Sequence, residues 1–297
     1  MYRKDELTQL LRIDYPIIQA PMYGVSTPAM VAAAANAGCL GSLPLADLPA
    51  EKCTELIQQT KQLTDKPFAV NIFVHTIPAI SDALKAQYIA AKNYIEALAK
   101  QHDLTVVLPP LDTIHLHSYH EQLDAIIAQD CKLVSFIFGT LDDAAIQQCK
   151  SHGMVLIGTC TSVEEAILLE QTGVDIICVQ GLEAGGHRGS FADEPVPKIG
   201  GLSLLPQVYD AVKVPLIYAG GIYDAKTLLA AKTLGAQGFQ VGSLLLGSEE
   251  SALQPFEKER LRKVQESEII LTKSFSGRYA RGIKNVFTEA MDDSEFI

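Results

Sequence analysis

One glycine-rich run contains the histidine with the clearest catalytic potential in this chain. His187 stands within EAGGHRG, residues 183–189. Because glycine lets the backbone adopt conformations closed to other residues, such a loop can approach a flat ligand closely. A histidine in that position can titrate near neutral pH and can orient, hold or deprotonate a substrate. The alternative interpretation is a solvated loop histidine paired with Glu183.

Two further glycine-containing runs are candidates for phosphate binding. AGGI occupies residues 219–222, and QVGS occupies residues 240–243. A turn without side chains lets backbone N–H groups approach phosphate oxygens, and a serine adds a hydroxyl donor. The candidate residues are Gly220, Gly221, Gly242 and Ser243. The alternative is that both runs are only tight turns between a strand and a helix.

Two amide side chains, Asn71 and Gln180, fall at or near the ends of predicted strands. An amide offers both a donor and an acceptor, which suits the heteroatom edge of an isoalloxazine ring. The alternative for each residue is an amide that braces a loop.

The run HLHSYH, residues 115–120, invites a metal interpretation. His115, His117 and His120 form HLHSYH, and three imidazoles at short spacing can bind zinc. No cysteine stands nearby and the run lies in an insertion, so a polar surface is the favoured interpretation and no metal is predicted. No GxGxxG run follows a strand and no Walker A run is present, so neither a Rossmann nor a P-loop site is indicated.

The elements that would position these residues are strands alternating with helices. Short β-rich runs bounded by Gly, Pro or Asn recur between Ala/Leu-rich stretches, which is typical of successive βα units around a parallel sheet. The eight predicted strands are Ile17–Ala20, Leu40–Leu43, Phe68–Phe73, Leu133–Phe138, Val155–Thr159, Ile176–Val179, Leu216–Ala219 and Gly238–Val241. The predicted fold is therefore α/β, a (β/α)8 TIM barrel, in which the residues after each strand converge on one face.

Start and stop signals delimit several of the intervening helices. Start signals are found at Thr27-Pro28, at Ser162 with Glu165, and at Asp224, and closing glycines are Gly38, Gly173 and Gly235. These signals support the alternation of strand and helix.

Two segments exceed a minimal barrel. We predict that residues 1–73 and 131–248 form the barrel, and that 74–130 and 249–297 form a helical insertion and a C-terminal extension. The insertion contains a predicted helix at 80–101 and the apolar run LTVVLPP, which is assigned to the insertion and not to a ninth strand. Because barrel active sites lie at the C-terminal ends of the strands, both segments are expected to pack together there as a lid on the substrate side.

Charge, hydropathy and cysteine content argue against a protein that binds nucleic acids, spans a membrane or is secreted with disulfides. A net charge of −11 and a pI near 5.1 oppose attraction to nucleic acids and to anionic membranes. The sequence has neither an apolar run of about 20 residues nor a signal peptide, so a cytoplasmic location is expected. The six cysteines form no CxxC pair and are expected to be reduced, buried thiols.

The motifs together resemble those of the nitronate monooxygenase family, formerly called 2-nitropropane dioxygenases, in its class I branch. The resemblance extends over IIQAPMYGVSTPAMVAAAANAGCLGSL, NIFVH, VSFIFG, GTCTSVEEA, DIICVQGLEAGGHRGSF, VPLIYAGGI, FQVGSLLLGSEES and FSGRYARGIKN. It implies an FMN-binding barrel with a helical lid. The residues that it implies for FMN binding are Pro21, Met22, Asn71, Gln180, Gly185, Gly220, Gly221, Gln240, Val241, Gly242 and Ser243.

The resemblance also implies an activity. Alkyl nitronates such as propionate 3-nitronate would be oxidised with FMN and O2 to a carbonyl compound and nitrite, a detoxifying reaction. His187 would be the catalytic residue that orients or holds the nitronate, and would act as a base only on a neutral nitroalkane. The implied partners are small molecules, with no nucleic acid and no membrane, and a homo-oligomer is an open possibility.

The chain departs from the family at several positions. The family often has threonine where Ser243 stands and proline where Tyr279 stands, and the insertion matches it poorly. These departures leave the choice of FMN intact. The choice of substrate stays open.

Three alternatives to this function remain open. An FMN-dependent enoyl-acyl-carrier-protein reductase has a similar EAGGH-like loop but takes hydride from NADH, and the HRG and ARGI runs favour the monooxygenase. A non-catalytic flavin-binding barrel would not need His187. A barrel isomerase or aldolase would need a lysine or paired carboxylates at the strand ends, and no predicted strand ends in that way.

Overall fold

In the computed structural model, which describes residues 6–192 and 195–296, eight parallel strands form a barrel. The barrel strands are β1 Ile17–Gln19, β2 Gly41–Ala46, β3 Phe68–Phe73, β4 Leu133–Ile137, β5 Val155–Cys160, β6 Ile176–Gln180, β8 Leu216–Ala219 and β9 Gly238–Val241. Their order is β1-β9-β8-β6-β5-β4-β3-β2, and a parallel bridge between Ile18 and Leu40 joins the two ends. All eight strands predicted from the sequence are confirmed, each within a few residues of its expected bounds.

Side chains of alternate residues fill the inside of the barrel. One cluster of buried residues contains Leu40, Ala69, Ile157 and Cys178, while the neighbouring residues on each strand face the surrounding helices. The short helix α1, Glu6–Leu11, contributes Leu7 and Leu11 to this inner cluster. Because Leu7 also lies against Gly238, at the start of β9, α1 covers the amino-terminal end of the barrel.

Helices follow the strands and cover the outside of the barrel. They are α2 Pro28–Asn36, α3 Ala50–Leu63, α5 Tyr119–Ala128, α6 Asp143–Ser151, α7 Val163–Thr172, α8 Gly201–Ala211 and α9 Ala225–Thr233. The predicted start signals are confirmed, because side chains of Thr27, Ser162 and Asp224 each accept a hydrogen bond from the first turn of their helix. Gly173 adopts the left-handed conformation that ends α7.

The insertion consists of one long helix followed by an irregular segment. Helix α4, Asp82–Gln101, begins after the N-cap Ser81, and residues 102–118 contain one short 3-10 helix, Leu111–Thr113. LTVVLPP forms no strand, as expected. Helix α5 packs on α3 and β3 and so belongs to the ring of barrel helices. Only residues 74–118 of the predicted 74–130 insertion therefore lie outside that ring.

The C-terminal residues form an extension that returns to the barrel. It contains α10 Pro255–Lys263, β10 Ile269–Thr272, β11 Ala280–Ile283 and α11 Val286–Asp292. The antiparallel pair β10 and β11, called here the tail hairpin (269–283), adds a third strand from the barrel loops, β7 Gly186–His187. The insertion also touches this extension: Oη of Tyr94 donates to the carbonyl of Ala290 at 2.9 Å. The division of the chain into barrel and lid stays a prediction.

The cysteines and the apolar character of the helices bear on two properties expected from the composition. The six cysteines are free thiols, and all except the half-buried Cys39 are buried. Among the helices described, none combines the length and the apolar character that crossing a membrane requires.

Candidate functional site

Three amide side chains face the inside of the barrel near its carboxyl end. Asn71, Gln180 and Gln240 have the same parity along their strands as the inward-facing Ala69, Cys178 and Gly238. Asn71 and Gln180 are 4% and 8% exposed, so each amide lies within the protein and not in solvent. The predicted convergence of strand-end amides at one end of the barrel is therefore present.

Both predicted amides also brace neighbouring groups. Nδ2 of Asn71 donates to Oγ of Ser135 at 2.9 Å, across the pair β3 and β4. Nε2 of Gln180 donates to the carbonyl of His187 at 3.0 Å, and Oε1 of Gln180 accepts the N–H of Gly189 at 2.8 Å. Gln180 thus fixes the backbone of the loop that follows its own strand.

That loop, residues 181–189 and called here the mouth loop, crosses the end of the barrel. A Cβ atom placed on Gly185 would lie 2.8 Å from Oγ of Ser243, beyond β9. At the other end of the loop, a Cβ atom on Gly189 would lie 2.9 Å from Ile137 and 3.1 Å from Thr159. The mouth loop therefore runs from the turn after β9 to the ends of β4 and β5.

The two glycine turns have the geometry of an anion site. Gly220 and Gly221 have φ angles of +133° and +65°, which side chains rarely tolerate. Within residues 6–192 and 195–296, the backbone N–H groups of Gly220, Gly221, Gly242 and Ser243 donate to no protein acceptor. Gly220 and Gly242 are half-buried, where an N–H group normally has a partner, and Gly221 and Ser243 are exposed. All four N–H groups are therefore available to a ligand.

The loop after β1 adjoins the same region. A Cβ atom on Gly242 would lie 3.5 Å from the sulfur of Met22, and the backbone N–H of Met22 donates to Oγ of Ser26 at 3.1 Å. Pro21 precedes Met22 and is half-buried. Pro21, Met22 and the turn 241–243 thus lie together at the same end of the barrel.

His187 is held by the tail hairpin and not by Glu183. Its Nε2 lies 2.6 Å from Oγ of Ser276, and its ring meets the edge of Phe138 with 6.0 Å between centroids. The Glu183 carboxylate instead accepts the N–H of Gly201 at 2.8 and 2.9 Å. The alternative pairing of His187 with Glu183 is therefore wrong. Burial and, secondarily, the charge of Arg278 lower the pKa of His187, so the neutral ring is favoured.

Arg188 is a buried cation that sequence reasoning did not single out. It is 4% exposed, and its guanidinium donates to the carbonyls of Gln180 at 2.6 Å, Pro197 at 3.1 Å and Thr161 at 3.3 Å. Burial lowers the pKa of Arg188 from its ordinary value, and the neighbouring Glu165 carboxylate opposes that shift. The Arg188 guanidinium thereby connects the end of β6, at Gln180, with Thr161 after β5 and with Pro197, which follows the mouth loop.

Phe138 and Arg278 form one wall beside His187, and neither was a candidate from the sequence. The Arg278 guanidinium lies 4.5 Å from the centroid of the Phe138 ring, within the range of a cation–π interaction. Phe138 has a φ angle of +75° and is 6% exposed. A bulky residue in that conformation is strained, and such strain is concentrated at functional sites. The signal that could have found it is its place directly after β4.

The tail hairpin also fastens the backbone of the mouth loop. The Arg281 guanidinium donates to the carbonyl of Glu183 at 2.8 Å, and the N–H of Arg188 donates to the carbonyl of Tyr279 at 2.7 Å. Two segments that are distant in sequence therefore build one side of the site.

The histidines of HLHSYH lie apart from this region, on α5 and the segment before it. Nε2 of His120 lies 2.7 Å from Asp142, and Nδ1 of His117 lies 3.3 Å from Glu121. Across the described part of the chain, no three His, Cys, Asp or Glu side chains are grouped as metal ligands would be.

The carboxyl end of the barrel offers two kinds of chemical group: backbone N–H donors after β8 and β9, and the imidazole of His187. The unpaired N–H groups after β8 and β9 suit the oxygens of a phosphate. The neutral ring of His187, beside the cationic Arg278, suits a small anionic or polar molecule. No lysine and no carboxylate pair takes part in the contacts described above.

Comparisons with known proteins show which family and which solved structures this chain resembles. The family model described as nitronate monooxygenase matches residues 4–296. A protein of Staphylococcus aureus strain JH9 named "Probable nitronate monooxygenase" is 38% identical over 298 residues, spanning 99% of this chain and 82% of its own. The solved structure of a nitroalkane oxidase from Streptomyces ansochromogenes has a TM-score of 0.86 and 32% identity, covering 96% of this chain and 81% of that one. The solved structure of FabK from Thermotoga maritima has a TM-score of 0.73 and 26% identity, covering 97% of this chain and 77% of that one.

Proposed function

The chain belongs to the nitronate monooxygenase family, and from that membership we propose that it oxidises alkyl nitronates, such as propionate 3-nitronate, with FMN and O2 to a carbonyl compound and nitrite. The observation that supports this proposal most directly is the approach of the mouth loop to the turn after β9. There, Gly185 lies so close to Ser243 that a single Cβ atom would stand 2.8 Å from the serine hydroxyl.

The residues present fit FMN. Four backbone N–H groups have no acceptor among the described residues, at Gly220, Gly221, Gly242 and Ser243, and they form a donor set suited to a phosphomonoester. The hydroxyl of Ser243 adds a fifth donor, and Gln240 and Val241 lead into the same turn. In the proposed complex, Asn71, Gln180, Pro21 and Met22 lie along the ring system, and Gly185 lets the mouth loop approach it.

FMN, when bound, supplies the acceptor for the substrate's electrons and passes them to O2. The protein contributes binding and orientation. His187 is neutral near pH 7 because burial and Arg278 lower its pKa, and a neutral imidazole can donate one hydrogen bond to a nitronate oxygen. Since a nitronate is already an anion, its oxidation requires no base. Arg278 adds positive charge to the side of the site where that anion is proposed to lie.

The tail hairpin and residues 74–118 are proposed to form the lid on the substrate side. The hairpin pairs with the mouth loop through β7 and β11, and Tyr94 of α4 contacts the extension at Ala290 and Phe296. Closure over the site would exclude water from the reacting atoms.

A second candidate function is reduction of an enoyl thioester with NADH. The similarity to FabK from Thermotoga maritima favours it, at 26% identity and a TM-score of 0.73. The higher identity and TM-score of the nitroalkane oxidase structure, 32% and 0.86, favour the oxidation of a nitro compound.

One paired assay separates the two candidates. Purified protein is incubated with propionate 3-nitronate or propyl-2-nitronate, and O2 uptake and nitrite are measured. The same preparation is incubated with NADH and an enoyl thioester, and NADH absorbance is followed. We expect nitronate-dependent O2 uptake with nitrite release. NADH loss that depends on the enoyl thioester, without oxidation of either nitronate, would overturn the proposal in favour of the reductase.

A further inference from the structure

The side chain of His187 is bonded to a residue 89 positions later in the chain. Its Nε2 lies 2.6 Å from Oγ of Ser276, in the turn that precedes β11. In the part of the chain that the structure describes, Nδ1 of His187 has no hydrogen-bond partner. The tail therefore occupies one ring nitrogen, and Nδ1 is the nitrogen left for a ligand.

Backbone pairing fixes the position of Ser276 relative to the ring. Ala280 of β11 stands opposite His187 of β7 in the antiparallel register. The backbone N–H of Arg278 donates to Oγ of Ser276 at 3.4 Å, which orients the hydroxyl within its turn. The contact between Ser276 and His187 is thus part of the hairpin's architecture.

We propose that Ser276 is a positioning residue that donates its hydroxyl hydrogen to Nε2 of His187 and thereby keeps the ring hydrogen on Nδ1. This inference rests on the proposed function and names the substrate form that the site selects. A ring with its hydrogen on Nδ1 donates a hydrogen bond to an anionic nitronate oxygen. It offers no lone pair on Nδ1 to take a proton from the carbon of a neutral nitroalkane.

The donor and acceptor inventory supports this direction of the bond. A serine hydroxyl has one hydrogen and two lone pairs. One lone pair of Ser276 receives the N–H of Arg278, which strengthens the hydroxyl as a donor. A neutral imidazole has one protonated and one unprotonated nitrogen, so a hydrogen donated to Nε2 requires the ring hydrogen to be on Nδ1. Ser276 thereby favours nitronates over their neutral nitroalkane forms without touching the substrate.

The tautomer can be measured directly. Two-bond proton–nitrogen correlation spectra of 15N-labelled holoprotein distinguish protonated from unprotonated ring nitrogens. The chain has seven histidines, and the signal lost in His187→Gln assigns the relevant ring. We expect a protonated Nδ1 and an unprotonated Nε2 near pH 7.5. A hydrogen on Nε2 in the wild-type protein would overturn the proposal, whatever the activity of the variants.

Substrate preference gives a second, independent readout. Ser276→Ala should lower the ratio of kcat/KM for the nitronate to kcat/KM for the neutral nitroalkane by roughly tenfold, the size of one lost hydrogen bond. Ser276→Thr keeps the hydroxyl and should restore the ratio. Ser151→Ala is a matched control, because Ser151 also lies beside a histidine ring, at 3.2 Å from Nδ1 of the exposed His152. Equal losses for both substrate forms in Ser276→Ala would contradict the proposed selection.

The two proposals fail in different ways. If the protein oxidises neither substrate form, the proposed function is wrong while the tautomer of His187 can still be read from the spectra. If nitronates are oxidised but the ratio is unchanged in Ser276→Ala, only the role of Ser276 is overturned.

Discussion

The guanidinium of Arg281 donates a hydrogen bond of 2.8 Å to the main-chain carbonyl of Glu183, 98 residues earlier in the chain. This bond joins the tail hairpin to the mouth loop at the residue that begins EAGGHRG. The most distinctive motif of the barrel and the SGRYARG run of the extension therefore form one structural unit.

Loss of Arg281 should loosen the extension. In Arg281→Ala the Glu183 carbonyl loses its charged donor, and we expect the free energy of unfolding to fall by about 1 kcal/mol. Limited proteolysis should then cut the extension faster. Arg262→Ala is the control, since Arg262 is exposed on α10 and pairs with Glu259 of the same helix. Equal proteolysis of both variants would count against a specific role for the bond.

A side chain at Gly185 should disturb the hydroxyl of Ser243. A Cβ atom there would stand 2.8 Å from Oγ of Ser243, so Gly185→Ala must turn that hydroxyl out of its position or displace the mouth loop. We expect the Kd for FMN, measured by fluorescence quenching, to rise at least tenfold. Gly247→Ala serves as the control, because nothing lies within 4 Å of a Cβ atom at that position. Unchanged FMN affinity in Gly185→Ala would mean that this approach is not part of the cofactor site.

The ionisation of His187 should make stability depend on pH. Burial, followed by the charge of Arg278, lowers the pKa of His187 in the folded state. The unfolded chain then binds the proton more readily, so stability is complete above the unfolded pKa of about 6.5 and declines as the pH falls below it. Denaturant unfolding at pH 7.5 and pH 5.0 should therefore show a smaller loss for His187→Gln than for wild type. An equal loss in both proteins would contradict the lowered pKa.

Charge removal at Arg278 gives a complementary prediction. Because Arg278 disfavours the charged imidazole, Arg278→Gln should raise the pKa of His187, which an NMR titration of the ring measures directly. Burial acts more strongly than Arg278 and remains in the variant, so the pKa should stay below the ordinary histidine value. A pKa that falls in Arg278→Gln would show that another charge dominates the ring.

Because the backbone of Phe138 is strained, glycine should be tolerated there at least as well as alanine, the reverse of the usual order of stability. At a φ angle of +75°, glycine fits without strain and alanine does not. Phe138→Gly should therefore be at least as stable as Phe138→Ala, although both lose several kcal/mol of packing. Phe136 is the matched control: it is fully buried within β4, where alanine should be the more stable replacement by about 1 kcal/mol. Chemical denaturation of the four variants measures the difference in free energy of unfolding between Gly and Ala at each position. If alanine is the more stable replacement at both positions, the backbone of Phe138 is not strained.

Much of the barrel was predictable because its signals are local. Each strand is a short β-rich run, and helix starts such as Thr27 and Ser162 need only the next few residues to act as caps. The glycine turns at 220–221 and 242 were predictable for the same reason. The sequence alone places α5 in the insertion, because its packing on α3 and β3 depends on tertiary structure, which no local pattern records.

The remainder of the site depends on contacts between distant segments. His187 was weighed against a pairing with the nearby Glu183, but the register of β11 against β7 brings Ser276 to the ring instead. The positive φ of Phe138 and the stacking of Arg278 over its ring likewise appear only when β4 and the tail meet. Sequence patterns predicted which loops meet, and the folded chain determines which side chains face each other within them.

The central claim is that the glycine turns, the strand-end amides and the mouth loop together bind FMN. Its most direct test is the absorbance spectrum of the purified protein, followed by denaturation and chromatography of the released cofactor. The account predicts flavin bands and the release of FMN in a ratio near one per chain. A colourless protein that takes up no FMN from excess would contradict it.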